Sequence, residues 1–159
     1  SVLIVKKDDI HCAETGKPLR LLLSYDDSPS ARKAVEICAS LPMDEQAEVT
    51  ALTVLPLVKM YRQDIRQRLS WLWLEKKKQA LAALERVKEE IGLTTKHVET
   101  QLRESPDVSD EILQAATELD SDLIVLGHKG KGAIKKFLLG SVTTRIAHHA
   151  PCSVLAVRK

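Results

Sequence analysis

Aromatic side chains are scarce in this sequence: one Phe, two Tyr and two Trp make up 3% of its 159 residues. A core of this size must therefore be filled by Leu, Val, Ile and Ala. No apolar run approaches the roughly 18 residues that span a bilayer, and no basic segment leads into a long apolar stretch and a cleavage site. Cys12, Cys38 and Cys152 are odd in number and widely spaced, with no CxxC pair. A disulfide framework or a thiolate zinc site is thereby disfavoured, buried thiols acting as small apolar residues are expected, and a reducing cytoplasm is the compartment that fits. A net charge of +2 is too small to argue for a nucleic-acid surface. Glycine is equally sparse, six in all, but Gly127, Gly130, Gly132 and Gly140 fall within one short segment.

What is present is a regular alternation. "LRLLLSY" (Leu19 to Tyr25) is an apolar run suited to a strand buried on both faces. Ser28-Pro29 follows as an N-cap and first helical residue, and Ala31, Ala34, Val35, Ile37, Cys38 and Leu41 carry an apolar stripe up to Pro42. "EVTALTVLP" (Glu48 to Pro56) predicts a second strand. From Asp64 to Ile91 a long helix is expected, its stripe running through Leu69, Leu72, Trp73, Lys76, Ala80, Ala83, Leu84, Val87 and Ile91. Trp71 and Trp73 lie two apart, so one of them should face away from the core. Lys76-Lys77-Lys78 is interleaved with glutamates and reads as a solvated face. "KHVETQL" (Lys96 to Leu102) is a third strand, and a short helix capped by Asp107 or Ser109 runs to Leu119. "DLIVLG" (Asp122 to Gly127) is a fourth strand, helix resumes near Ser141, and "CSVLAVR" (Cys152 to Arg158) is a fifth.

The order predicts an α/β fold: a doubly wound five-stranded parallel sheet in a three-layer α/β/α arrangement. Residues 18–159 form its domain, preceded by a strand and linker over 1–17. That opening strand, "SVLIVKK", nearly repeats the closing "SVLAVRK". It is expected as an extra strand at the sheet edge, paired with the Val154 to Val157 segment and reading as the last strand of a preceding domain.

In such sheets ligands bind beyond the carboxyl ends of the strands, where strand order reverses. Two strand ends carry unusual residues: "SYDDSPS" and "GHKGKGAIKKFLLGS". The second concentrates glycine and lysine between a buried strand and a helix start, which suits a nest of N–H groups around a phosphate. It is neither a Walker A loop, since Ala133-Ile134 follow Gly132, nor a dinucleotide fingerprint, since a third glycine is missing.

Gly127-x2-Gly130-x9-Gly140-Ser141 resembles the G-2x-G-9x-G-S/T nucleotide motif of the universal stress protein family, within a C-terminal stretch similar to that family's signature. The resemblance covers roughly residues 18 to 159. It implies the adenine-nucleotide α-hydrolase-like fold and an ATP site accompanied by Mg²⁺. Asp26 would lie near the ribose and Val54 at the adenine. Gly127, His128, Gly130, Lys131, Gly132, Gly140, Ser141 and Val142 would surround the ribose and phosphates. Asp27 departs from the glycine common in the family at that place; its carboxylate would repel phosphate or help to hold Mg²⁺. The resemblance also implies a homodimer through the C-terminal edge strand, and an ATP-binding stress-response protein whose ligand modulates conformation or partner interactions. No convincing catalytic base accompanies the loop, His128 being the one candidate, so a binding protein rather than an enzyme is expected. A slow ATPase or a nucleotidyl-transfer enzyme on the same fold is the alternative.

Overall fold

The computed structural model describes residues 1–4, 17–43, 45–57, 63–129 and 140–158. Its elements, in chain order, are β1 (Val2–Ile4), β2 (Arg20–Ser24), α1 (Pro29–Ser40), β3 (Glu48–Pro56), α2 (Gln63–Ile91), β4 (His97–Ser105), α3 (Val108–Glu118), β5 (Leu123–Gly127), α4 (Ser141–His149) and β6 (Ser153–Val157). They form one sheet in the order β1-β6-β5-β2-β3-β4. The five strands from β2 to β6 are parallel, and β1 adds to β6 antiparallel. The expected parallel sheet and the extra edge strand are both present.

Side chains of a strand alternate between faces, and here each face has its own core. Leu21 and Leu23 of β2 join Val49, Ala51, Val98 and Val125 beneath α1 and α2. Leu22 points the other way and packs with Leu52, Ile124, Leu126 and Val154 beneath α3 and α4, where Ile112 and Ile146 sit. The near-continuous apolar runs reflect this double burial. Cys38 and Cys152 are buried free thiols, and burial pushes the Cys38 thiol up to about 12, far from reactive.

Two sequence expectations need correction. β4 runs on to Ser105 rather than ending at Leu102, because its nine-residue partner β3 continues the ladder to the pair Pro56–Ser105. Leu72 does not join a buried stripe. It is exposed, as are Leu74 and Leu81, and among the α2 side chains described, from Ser70 onward, deep burial begins at Ala83. A helix of 29 residues, at about 1.5 Å per residue, is longer than the strands it packs against, and Trp71, Leu72 and Leu74 are left exposed. Trp71 is the outward member of the tryptophan pair, 65% exposed. No helix among the described residues is long and apolar enough to cross a membrane.

The strand order places β2 between β3 and β5, with the chain leaving β2 toward β3 and later returning to its other side at β5. That reversal opens a crevice above the carboxyl ends of β2 and β5.

Candidate functional site

The end of β2 is held by its neighbour. The Tyr25 amide donates to the Leu52 carbonyl at 2.8 Å, and the buried Thr53 hydroxyl donates to the Tyr25 carbonyl at 2.7 Å. Asp26 then projects outward with Oδ1 accepting the Ser28 amide at 3.0 Å, an Asx turn. The next residue turns the chain in the left-handed region, φ 58° at Asp27. Asp tolerates that region better than most residues with a Cβ, which accounts physically for an aspartate where glycine would otherwise serve. Its carboxylate is engaged: Oδ1 accepts from the Tyr25 hydroxyl at 3.0 Å and from Arg32 Nε and Nη2 at 3.1 and 2.8 Å. Burial, followed by the Asp27 hydrogen bond and charge, pushes the Tyr25 hydroxyl up to about 12. Asp27 is thus oriented by α1 and Tyr25.

Ser28 caps α1 by accepting the Ala31 amide at 3.2 Å, with Pro29 next as expected. The turn also reaches across to the loop that follows β5. Ser28 and Ser30 both donate to the Lys129 carbonyl, at 3.2 and 2.5 Å. Gly127, the last residue of β5, sits so close to α1 that a Cβ there would stand 2.7 Å from the Ala31 amide nitrogen and 2.7 Å from Ser30 Oγ. Its glycine is required by packing.

The far end of the loop is returned to the same place. The Gly140 amide donates to the His128 carbonyl at 2.8 Å, and the buried Thr143 hydroxyl lies 3.0 Å from the Gly127 carbonyl. α4 then starts at Ser141 with Gly140 as its N-cap and no side-chain cap among the described residues. Its first amides, and the positive end of its dipole, are available to an anion.

These parts enclose a cavity of about 670 Å³, within the roughly 300–1,000 Å³ usual for small-molecule sites. Asp26, Val54, Gly127, Gly140, Ser141 and Val142, six of the sequence-predicted site residues, line it. Gly130, Lys131 and Gly132 lie outside the described residues. His128 does not line the cavity. Its amide donates to the Val157 carbonyl on β6, and its Nδ1 is buried without a hydrogen-bond partner among the described residues. Burial first, then the charges of Lys129, Arg158 and the amino terminus, lower the imidazole pKa.

One wall was missed by sequence reasoning. Trp73, Lys76 and Gln79 of α2 face the cavity, beside Ala80 and Ala83. The signal was available in the polar Lys76 and Gln79 beside the apolar positions Trp73, Ala80 and Ala83. Which end of the sheet this helix covers is a tertiary fact, and the pattern alone does not carry it. Among the described residues no group of three or more His, Cys, Asp or Glu is placed to hold a metal ion.

A universal stress protein of Thermus aquaticus is 33% identical over 140 residues, covering 87% of this chain and 97% of that one. Among solved structures, the universal stress protein UspA from Lactobacillus plantarum superposes with a TM-score of 0.76 at 25% identity, over 90% of this chain and 99% of that one. Two others share the fold at 19% identity. One is a universal stress protein in complex with cAMP (TM-score 0.63, covering 90% and 98%). The other is an Arabidopsis thaliana family member with AMP bound (0.59, 89% and 92%). The universal stress protein family model itself matches residues 19–158, from the lead into β2 to the end of β6, and the chain belongs to that family.

Proposed function

We propose that the cavity is an adenine-nucleotide site and that ATP is its regulatory ligand. The observation that carries this reading is the convergence, at the reversal of strand order, of an α4 N-terminus without a side-chain cap and an apolar slot between the β3 end and α2. Phosphate suits the first amides of α4, with Lys76 adding positive charge at the opposite wall. The base suits the slot formed by Val54, Ala80, Ala83 and the Trp73 ring. Asp26, outward-facing between them, is placed for a ribose hydroxyl. Relatives of this fold holding cAMP and AMP support the ligand class. Mg²⁺ would travel with the phosphates and supply charge neutralisation there. Asp27, committed to Arg32 and Tyr25, would not hold it.

A ligand spanning α2, α4 and the two strand ends would tie the two helices together across the end of the sheet. Occupancy would in this way set the conformation offered to a protein partner in the cytoplasm. Turnover needs a group that orients the attacking water, and the side chain with the right chemistry, His128, does not line the cavity. On this reading the nucleotide is a ligand rather than a substrate, and hydrolysis below about 1 per second is expected.

Thermal denaturation with added ATP and Mg²⁺ tests the reading. At 100 times Kd the ligand should stabilise by about 2.7 kcal/mol, raising Tm by roughly 5–11 °C at about 2–4 °C per kcal/mol. Recovered nucleotide should remain ATP. An unchanged Tm at millimolar ATP, ADP and AMP, or rapid phosphate release by the protein alone, would overturn it.

A further inference from the structure

The outward face of α2 is apolar in a stretch of chain that is strongly basic. Trp71, Leu74 and Leu81 are each more than half exposed, and Lys78 between them is exposed as well. The four recur at spacings of three, four and three, which puts them on one face of the helix. That face is turned away from the core, where Ala83, Leu84, Val87 and Ile91 are packed. It is also distinct from the face that lines the cavity with Trp73, Lys76, Gln79 and Ala80. Residues 59–78 carry seven Lys or Arg against two carboxylates, Asp64 and Glu75, in a chain whose net charge is only +2. Beyond Leu81 the balance reverses, with Glu85, Glu89 and Glu90 outnumbering Arg86 and Lys88. Positive charge and exposed apolar surface thus coincide along one part of one helix.

We propose that this face is a docking surface for an anionic lipid bilayer, on which α2 lies in the interfacial plane with Trp71, Leu74 and Leu81 inserted. Charge complementarity selects the occupant: a cluster of about four to eight Lys and Arg on an amphipathic helix is drawn to anionic headgroups. Tryptophan at the contact fits the same surface, because its apolar ring and its N–H suit the boundary between acyl chains and headgroups. Lys78 fits it too, its stem lying along the apolar stripe while its ammonium reaches the lipid phosphates. A second copy of the stripe would instead set a lysine into an apolar seam. Nucleic acid would meet the same charge, but Leu74 and Leu81 offer nothing to phosphates and no ring for bases to stack on. No helix among the described residues is long and apolar enough to cross a membrane, so the helix lies on the bilayer. The acidic residues from Glu85 onward are repelled by such a surface and confine the contact to the part of α2 before them. The proposal is independent of the nucleotide reading, which uses another face of the helix.

The test is vesicle flotation without nucleotide at about 50 mM salt, with vesicles of phosphatidylcholine alone or containing about one third phosphatidylglycerol. The full chain should float with the anionic vesicles and stay behind with the neutral ones. Raising the salt to about 0.5 M should release it, since the attraction is then screened within a few ångströms. In a Trp73→Phe background the emission of Trp71 should shift to the blue on binding. Two altered proteins, Trp71→Ser with Leu74→Ser and Lys78→Glu, should each bind at least about tenfold more weakly. Both change exposed side chains only, so thermal melting should match the parent and exclude misfolding as the cause. Absence of flotation with anionic vesicles, or equal flotation with neutral ones, would overturn the proposal. So would undiminished binding by both altered proteins, which would place the contact elsewhere on the chain. A doubling of mass without lipid that the Trp71→Ser, Leu74→Ser protein loses would assign the stripe to a second copy, and that too would overturn it.

Discussion

Gly127→Ala separates two reasons for which glycine can be placed in a binding loop. The added Cβ would stand 2.7 Å from the Ala31 amide nitrogen, 2.7 Å from Ser30 Oγ and 2.9 Å from the Ser30 carbonyl carbon. Two of those three neighbours are backbone atoms in the first turn of α1, so no side-chain rotation relieves the contact. The end of β5 must move away from α1, against a sheet face and a helix already packed on each other. Overpacking of this kind costs about 1–3 kcal/mol, and at about 2–4 °C per kcal/mol for a domain of this size Tm should fall by roughly 2–12 °C. The control is Gly140→Ser. Gly140 has φ −70°, and a Cβ there would meet nothing nearer than the His128 carbonyl oxygen at 3.4 Å. A serine also supplies the missing cap oxygen, so stability should hold within about 0.5 kcal/mol. That oxygen would occupy α4 amides assigned to phosphate, and ATP affinity should fall. Calorimetry gives both readouts on both proteins. A Gly127→Ala protein melting within 1 °C (about the precision of the measurement) of the parent would refute the packing argument. A Gly140→Ser protein with undiminished ATP affinity would refute the assignment of the α4 N-terminus.

Tyr25 should titrate late. In a Tyr61→Phe background it is the sole tyrosine, and ultraviolet absorbance should place its midpoint at about 12, with Asp27→Asn bringing it down. Because the folded state holds that proton more tightly, the associated stability is complete below pH 10 and is lost as pH rises through 12; a midpoint near 10 in the folded protein would contradict the buried Tyr25–Asp27 pair. Trp73 should report nucleotide while Trp71 does not: ATP should change the emission of Trp71→Phe and leave Trp73→Phe unaffected, and equal responses would place the slot elsewhere. Ser28→Ala removes both the α1 cap and a bond to the Lys129 carbonyl, and chemical denaturation should show a loss of about 1–2 kcal/mol, with Ser28→Thr recovering most of it.

The layered fold was legible because double burial leaves a simple trace. Leu21 to Leu23 and Leu123 to Leu126 are unbroken apolar runs, and in each the alternate residues serve different cores. Caps were equally legible, since Ser28 and Asp107 act through bonds to amides two or three residues away. The extent of β4 was not, because Arg103, Glu104 and Ser105 are strand only by virtue of pairing with β3. The stretch of α2 around Leu72 and Leu74 misled for the converse reason. Its apolar residues keep helical spacing where they are left exposed, and spacing carries no information about where a neighbour stops.

The candidate site shows the same division at the level of single residues. Clustered glycines point either to positive φ or to a close approach to the main chain, and at Gly127 it is the close approach that holds. Gly127 and Gly140 both have ordinary φ; the first is small because α1 lies against it, and the second begins a helix. Positive φ is found instead at Asp27, where the sequence shows a carboxylate that looked like a threat to phosphate. That carboxylate is turned to Arg32 and Tyr25 by the turn it makes, so one residue of the cavity wall supplies the bend and has its own charge paired. Composition could identify this turn as special. Only the distances between Asp27, Tyr25 and Arg32 say what the special residue does, and among the described residues the α4 amides and Lys76 are positive features that an anionic ligand would meet.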